Sequence, residues 1–102
     1  MPIGDFVNLI PAPIFLFIHL TAFAIGAYFA WRAFGAGAGM LGWGFSLFAL
    51  AEISYMTYHL DWTVFLFAHT VSEVLDLLAF ILVFAAATSG VSARLRSAES
   101  QA

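Results

Sequence analysis

Three long apolar runs, separated by short breaks, dominate the pattern of hydrophobic and polar positions along the chain. The first covers about 14–34 and follows two prolines, which a helix tolerates in its first turn. The second covers about 40–60, and the third covers about 63–88, beyond the pair Asp61 and Trp62. Each run has about 20 residues or more, which is enough for a helix to cross a hydrocarbon core of about 30 Å.

These runs predict an all-α integral membrane protein with three transmembrane helices in an up-down-up bundle. We expect residues 1–102 to form a single membrane domain that ends in a polar C-terminal tail, 89–102. The tail has few apolar residues, so we expect it not to fold. The glycines at positions 35, 37 and 39 predict a flexible connector between the first two helices.

The composition favours a membrane protein over a soluble domain. Of the 102 residues, 64% are hydrophobic and 9% are charged, and the mean hydropathy is +1.01. A soluble domain has about 25% charged residues. The apolar surface is too large for so small a core, so we expect the lipid bilayer to cover the rest. Cysteine is absent, which excludes disulfides and thiolate metal sites.

The basic residues predict the orientation of the chain. There are three arginines and no lysine, too few to neutralise a nucleic-acid backbone, so we expect no nucleic-acid partner. Arg32 lies at the end of the first run, and Arg94 and Arg96 follow the third, so all three lie on one side of a protein with three spans. The positive-inside rule makes that side cytoplasmic. We therefore expect the N-terminus outside, the C-terminus in the cytoplasm, and a bacterial or archaeal cytoplasmic membrane.

The ionisable residues within the runs fall on single helix faces. At 100° per residue, one face of the third helix carries His69, Ser72, Glu73 and Asp76. One face of the second helix carries Glu52, Tyr55 and His59, and the first helix offers His19. We expect these faces to point inward and to form a buried polar network of Glu52, Tyr55, His59, Ser72, Glu73 and Asp76.

Specific pairs are expected within that network, because a lone ionisable group in a membrane is costly. We expect His69 to pair with Glu73, which follows it by four residues. We expect Arg32 to reach towards Asp76, and Glu52 to bond to Tyr55, Thr70 or Ser72. Such bonds join transmembrane helices with about 1 kcal/mol each.

The same residues permit three kinds of chemistry. His19 and His69 lie at similar predicted depths, so they are candidate axial ligands for a b-type haem, or single ligands for a (bacterio)chlorophyll. Imidazole and carboxylate groups also suit a non-haem metal, which makes His19, Glu52, His69 and Glu73 weak candidates. Finally, a proton or ion relay could descend through His59, Glu52, His69, Glu73 and Asp76.

In size, span count and the placement of one histidine per helix, the layout resembles the three-helix membrane subunits of respiratory or photosynthetic complexes. These include the haem-carrying anchors of succinate dehydrogenase-type enzymes. The basic N-terminus and the Arg and Ser quinone residues of those anchors have no counterpart in this sequence, so we assign no family.

The first interpretation is a small non-catalytic subunit, because neither end of the chain is long enough for a soluble catalytic domain. It would lie in the bilayer and pack against other membrane subunits or copies of itself, in a respiratory or photosynthetic electron-transfer complex. The alternative is an electron carrier with haem or pigment on His19 and His69. The relay is the third hypothesis.

Overall fold

A computed structural model describes residues 3–101, and the side chains of all of these except Val91, Ser100 and Gln101. A short 3₁₀-helix, Asp5–Leu9, precedes three α-helices: α1 (Ala12–Gly35), α2 (Gly39–His59) and α3 (Phe65–Gln101). The described residues contain no β-strand, so the prediction of an all-helical fold is confirmed. By length and composition, α1 and α3 could each cross a membrane.

The helices form an open layer with α2 in the middle. α1 and α3 each pack against α2, and within residues 3–101 they do not pack against each other. The molecule is accordingly long and flat, with extents of 60, 31 and 20 Å. Two rows of contacts on α2 hold the fold together.

Small residues occupy the helix contacts, while large apolar side chains point outwards. The buried positions are Gly26 and Ala30 on α1, Gly42, Gly44, Ala49 and Ala51 on α2, and Ala68, Ser72 and Ala79 on α3. The outward-facing set includes Phe17, Trp31, Phe67, Leu77 and Phe84. A soluble protein buries its large apolar residues instead, whereas helices that associate in lipid approach through small ones.

Gly44 shows how close this approach is. A Cβ atom added to Gly44 would lie 2.8 Å from Cγ2 of Val83 and 3.3 Å from the carbonyl oxygen of Ala79. Ser72 of α3 is fully buried at the same interface, and its hydroxyl donates a 3.0 Å hydrogen bond to the carbonyl oxygen of Ala51. The α2–α3 contact therefore brings backbone against backbone.

Both turns between helices begin with the same well-ordered cap. After α1, Gly37 has φ +77°, its N–H donates to the carbonyl oxygen of Phe34, and the Ala38 N–H donates to that of Ala33. After α2, Asp61 takes the corresponding place with φ +63°. Each is a Schellman motif, which places a left-handed residue just beyond a helix. The glycine-rich segment is therefore a defined cap and not the flexible connector that we predicted.

The C-terminal segment also differs from the prediction. α3 continues without interruption through 89–101, where the sequence predicts a tail that does not fold. The segment contains Ala, Leu, Arg and Glu, which are good helix formers, and no proline. The polar side chains of this segment allow water to surround it, but they do not prevent the helix from continuing.

Candidate functional site

Four stacked rings join α1 to α2 near the start of α1. Phe15 stacks on His59 with ring centroids 4.8 Å apart, His59 stacks on His19 at 5.3 Å, and His19 stacks on Tyr55 at 5.1 Å. The rings come alternately from α1 and α2. Phe15 and His19 are four residues apart, as are Tyr55 and His59, so each pair projects from one side of its helix. We call these four residues the ring stack.

Glu52 forms the next polar contact below the ring stack. Its Oε2 lies 2.5 Å from Nδ1 of His19, and the two side chains are 12% and 19% exposed. A short contact between an imidazole and a carboxylate holds one proton between the two groups, and it is stronger than a neutral hydrogen bond. It leaves Nε2 of His19 available for another partner. The pair therefore links α1 to α2.

A cavity of about 510 Å³ opens beside the ring stack at the end of the molecule where the 3₁₀-helix lies. His19, Tyr55 and His59 reach it from the ring stack, and Tyr58 and Asp61 line it from the end of α2. Glu52 is not among the lining residues, so it lies behind His19 as seen from this cavity. The His19–Glu52 pair thus connects an accessible cavity to the interior of the layer.

The carboxylates of α3 have two different environments. Glu73 is exposed, whereas Asp76 is partly buried and lines a second, apolar cavity of about 200 Å³ between the three helices. One Asp76 oxygen, Oδ1, is buried and has no hydrogen-bond partner within residues 3–101. Tyr55 lies within electrostatic range of Glu52, Glu73 and Asp76. A group of acidic residues therefore extends from the His19–Glu52 pair across α2 to α3.

Several expected pairs have different partners in the structure. Glu52 bonds to His19 and not to Tyr55, Thr70 or Ser72, and Ser72 bonds to a backbone carbonyl. The ring of His69 stacks on Phe65 at 5.3 Å. Glu73 is exposed, and its side chain also reaches Tyr55 on α2.

The candidate cofactor ligands are separated by the fold. His19 lies on α1 and His69 on α3, and these helices pack on α2 without packing on each other. A haem held by both histidines would therefore have to bridge helices that α2 keeps apart. Within residues 3–101, no group of three His, Asp or Glu side chains could hold a metal ion, so His19, Glu52, His69 and Glu73 are not gathered at one place.

The predicted polar network contained no pair between His19 and Glu52. The pair could have been found from two sequence motifs whose spacings match on antiparallel helices. These are Phe-x3-His in α1 and Glu-x2-Tyr-x3-His in α2. When the two motifs run in opposite directions, Phe15 meets His59 and His19 meets both Tyr55 and Glu52.

Comparison with known proteins identifies no relative: no protein-family model, no curated protein and no solved structure matches this chain. Function is therefore inferred from the geometry of the chain itself.

A double-mutant cycle tests the His19–Glu52 pair. His19→Phe keeps a ring in the stack but removes Nδ1, and Glu52→Gln keeps the shape but removes the charge. We expect each change to lower the free energy of unfolding, and the double variant to lose about 0.5–2 kcal/mol less than the two single losses together. The measurement is reversible unfolding in detergent. Ser54→Ala is the control, because the Ser54 hydroxyl bonds only within α2; strictly additive losses would contradict the pairing.

Proposed function

We propose that this chain is a small non-catalytic membrane subunit that crosses the bilayer three times and packs against other membrane chains. The observation that carries the proposal is Glu73, an exposed acidic residue within the apolar part of α3. The proposal has three steps, which concern the crossing of α2, the orientation of the chain and the need for a partner.

The crossing of α2 follows from its contacts. α2 packs on α1 from His59 against Phe15 at one end to Trp43 against Phe34 at the other. It also packs along α3, from Tyr58 against Phe65 to Gly44 against Val83. With 21 residues, α2 is about 31 Å long, close to the thickness of a hydrocarbon core. If α1 and α3 cross a membrane, a helix packed along both of them crosses it as well.

The orientation rests on the arginines. Arg32 lies in the last turn of α1, and Arg94 and Arg96 lie in the polar part of α3, so the three share one end of the layer. The ring stack and the cavity of about 510 Å³ lie at the other end. The positive-inside rule therefore favours a cytoplasmic C-terminus and places the cavity at the outer surface.

Glu73 supports the need for a partner. It lies eight residues beyond Phe65, so it is about 12 Å below the start of α3. A charged side chain that faces lipid near the bilayer centre costs about 2.5–3.5 kcal/mol on insertion scales. Tyr55 of α2 interacts with Glu73 from within the chain, and another chain that covers the exposed part of Glu73 would lower this cost further. The open layer leaves space for such a chain, because α1 and α3 do not close over α2.

Respiratory or photosynthetic electron transfer stays a prediction drawn from the layout of the sequence. The partner is proposed here only as one or more membrane chains, of which a second copy is one form.

Cross-linking from α3 tests this proposal. Because the chain has no cysteine, Leu77→Cys and Leu78→Cys each provide one site for a maleimide photo-cross-linker. Both leucines are exposed, but only Leu77 lies on the Glu73 side of α3. In native membranes we expect the probe at 77 to capture a protein partner at least several times more than the probe at 78. Glu73→Leu should then shift the extracted complex to smaller mass. If the probes at 77 and 78 cross-link to lipid only, and to the same extent, the proposal is contradicted.

A proton relay is the second candidate function, and the order His59, His19, Glu52 favours it. His59 and His19 line the outer cavity and stack on each other, and His19 contacts Glu52. Imidazole exchanges protons near neutral pH, so these groups can pass a proton from the cavity to the interior. In this path His19 takes the place that the sequence hypothesis gave to His69.

Proton flux distinguishes the relay from a purely structural subunit. The chain is placed in liposomes with a trapped pH-sensitive dye. A membrane potential that is negative inside the liposomes drives proton entry. We expect flux above that of protein-free liposomes, a loss of at least tenfold in Glu52→Gln, and no change in Ser54→Ala, whose hydroxyl bonds only within α2. Flux that is absent from the wild-type chain, or unchanged in Glu52→Gln, would exclude this path.

A further inference from the structure

The outer cavity has the lining of a cation-binding site. Phe15, Tyr55, Tyr58 and Phe65 contribute four aromatic rings from three different helices. Aromatic rings carry negative charge on their faces and attract cations, and cages of such rings recognise substituted ammonium groups. Phe15, Tyr55 and Phe65 each have one face stacked on a histidine, so each has one face left for a ligand.

Carboxylates lie around the cavity, together with the imidazoles of His19 and His59 in its lining. Asp61 lines it directly. Asn8 also lines it and donates a 3.0 Å hydrogen bond to Asp5, which places a second carboxylate just behind the wall. Glu52 lies behind His19. None of the three arginines lines the cavity, and Arg32 lies at the opposite end of α1. Three carboxylates thus surround a cavity whose lining contains no Arg or Lys.

We propose that this cavity binds a small substituted ammonium cation, with the aromatic rings around its alkyl groups and Asp61 as the counter-ion. A bare metal cation is a poorer match, because the only carboxylate in the lining is Asp61 and most of the wall is aromatic or apolar. The volume of about 510 Å³ is large enough for a quaternary ammonium head group. The cavity itself does not depend on the proposed subunit role, whereas a lipid source for the cation rests on the proposed membrane orientation.

Two sources can supply this chemistry. The cation can be a free molecule in the outer compartment, or it can be the ammonium head group of a phospholipid, because the cavity lies where the chain would meet the head-group region. Both sources present the same group to the rings and to Asp61. The experiment must therefore separate a dissolved ligand from a lipid.

Choline and its uncharged analogue 3,3-dimethylbutan-1-ol form a matched pair of probes, since they share shape but not charge. Binding is measured by saturation-transfer NMR of their methyl protons at pH 8, where an ordinary histidine is neutral. The full chain is held in nanodiscs of phosphatidylglycerol, which has no ammonium group, and in nanodiscs of phosphatidylcholine. We expect choline to bind in phosphatidylglycerol nanodiscs at least fivefold more tightly than the alcohol.

Three variants assign the binding to the cavity. Asp61→Asn removes the charge but keeps the cap, because asparagine tolerates the left-handed backbone of position 61. Tyr58→Leu removes one ring but leaves an apolar side chain. We expect each to weaken choline binding about fivefold or more, the equivalent of about 1 kcal/mol. Tyr28→Leu is the control, because Tyr28 is exposed and lies outside the cavity; its choline affinity should be unchanged.

The lipid comparison identifies the source. If free choline binds equally in both nanodiscs, the site takes a dissolved cation. If phosphatidylcholine abolishes choline binding, the lipid head group occupies the site and the proposal holds with a lipid ligand. Equal binding of choline and the alcohol, or unchanged affinity in both Asp61→Asn and Tyr58→Leu, would overturn it. The absence of choline binding in phosphatidylglycerol nanodiscs would also overturn it.

Discussion

The close approach of α2 to both of its neighbours is the constraint on which the rest of the structure depends. Glycine, alanine and serine occupy the contacts, so the helices meet almost backbone to backbone and the large side chains are directed outwards. Such contacts gain little from the hydrophobic effect in water, because the apolar surface that they bury is small. In lipid the outward-facing residues are already solvated, and packing with a few hydrogen bonds is enough to hold the helices together. The fold is therefore suited to an apolar environment.

The polar site is a consequence of the same packing. Near the start of α1 and the end of α2, rings replace the small residues, and Phe15, His59, His19 and Tyr55 interdigitate. That interdigitation brings His19 to Glu52. On the other side of α2, Ser72 sits against the backbone of Ala51, which fixes the direction of the acidic face of α3. Because α1 and α3 never close over α2, Glu73 remains on the outside, where a neighbouring chain can reach it.

The sequence predicted the positions of the helices better than it predicted the contacts between them. The three apolar runs match α1, α2 and most of α3, and Pro11 and Pro13 mark the start of α1. Helical periodicity also grouped His69, Glu73 and Asp76, since that depends on spacing along one helix alone. Pairing between helices depends on how two helices are aligned along their axes. The predicted depths did not determine this register, so the sequence did not predict the His19–Glu52 pair. The helical tail was missed because polarity was taken to mean an unfolded segment.

The most direct test of three crossings is a map of cysteine accessibility, which the absence of native cysteine makes simple. Single cysteines are placed at Phe6, Ala36, Trp62 and Ser97, so that each end of the chain and each turn between helices carries one. An impermeant maleimide added to intact cells should label positions 6 and 62, and should label 36 and 97 only after the membrane is opened. If positions 6 and 97 are labelled from the same side, the chain crosses the membrane an even number of times and the three-span layer is wrong.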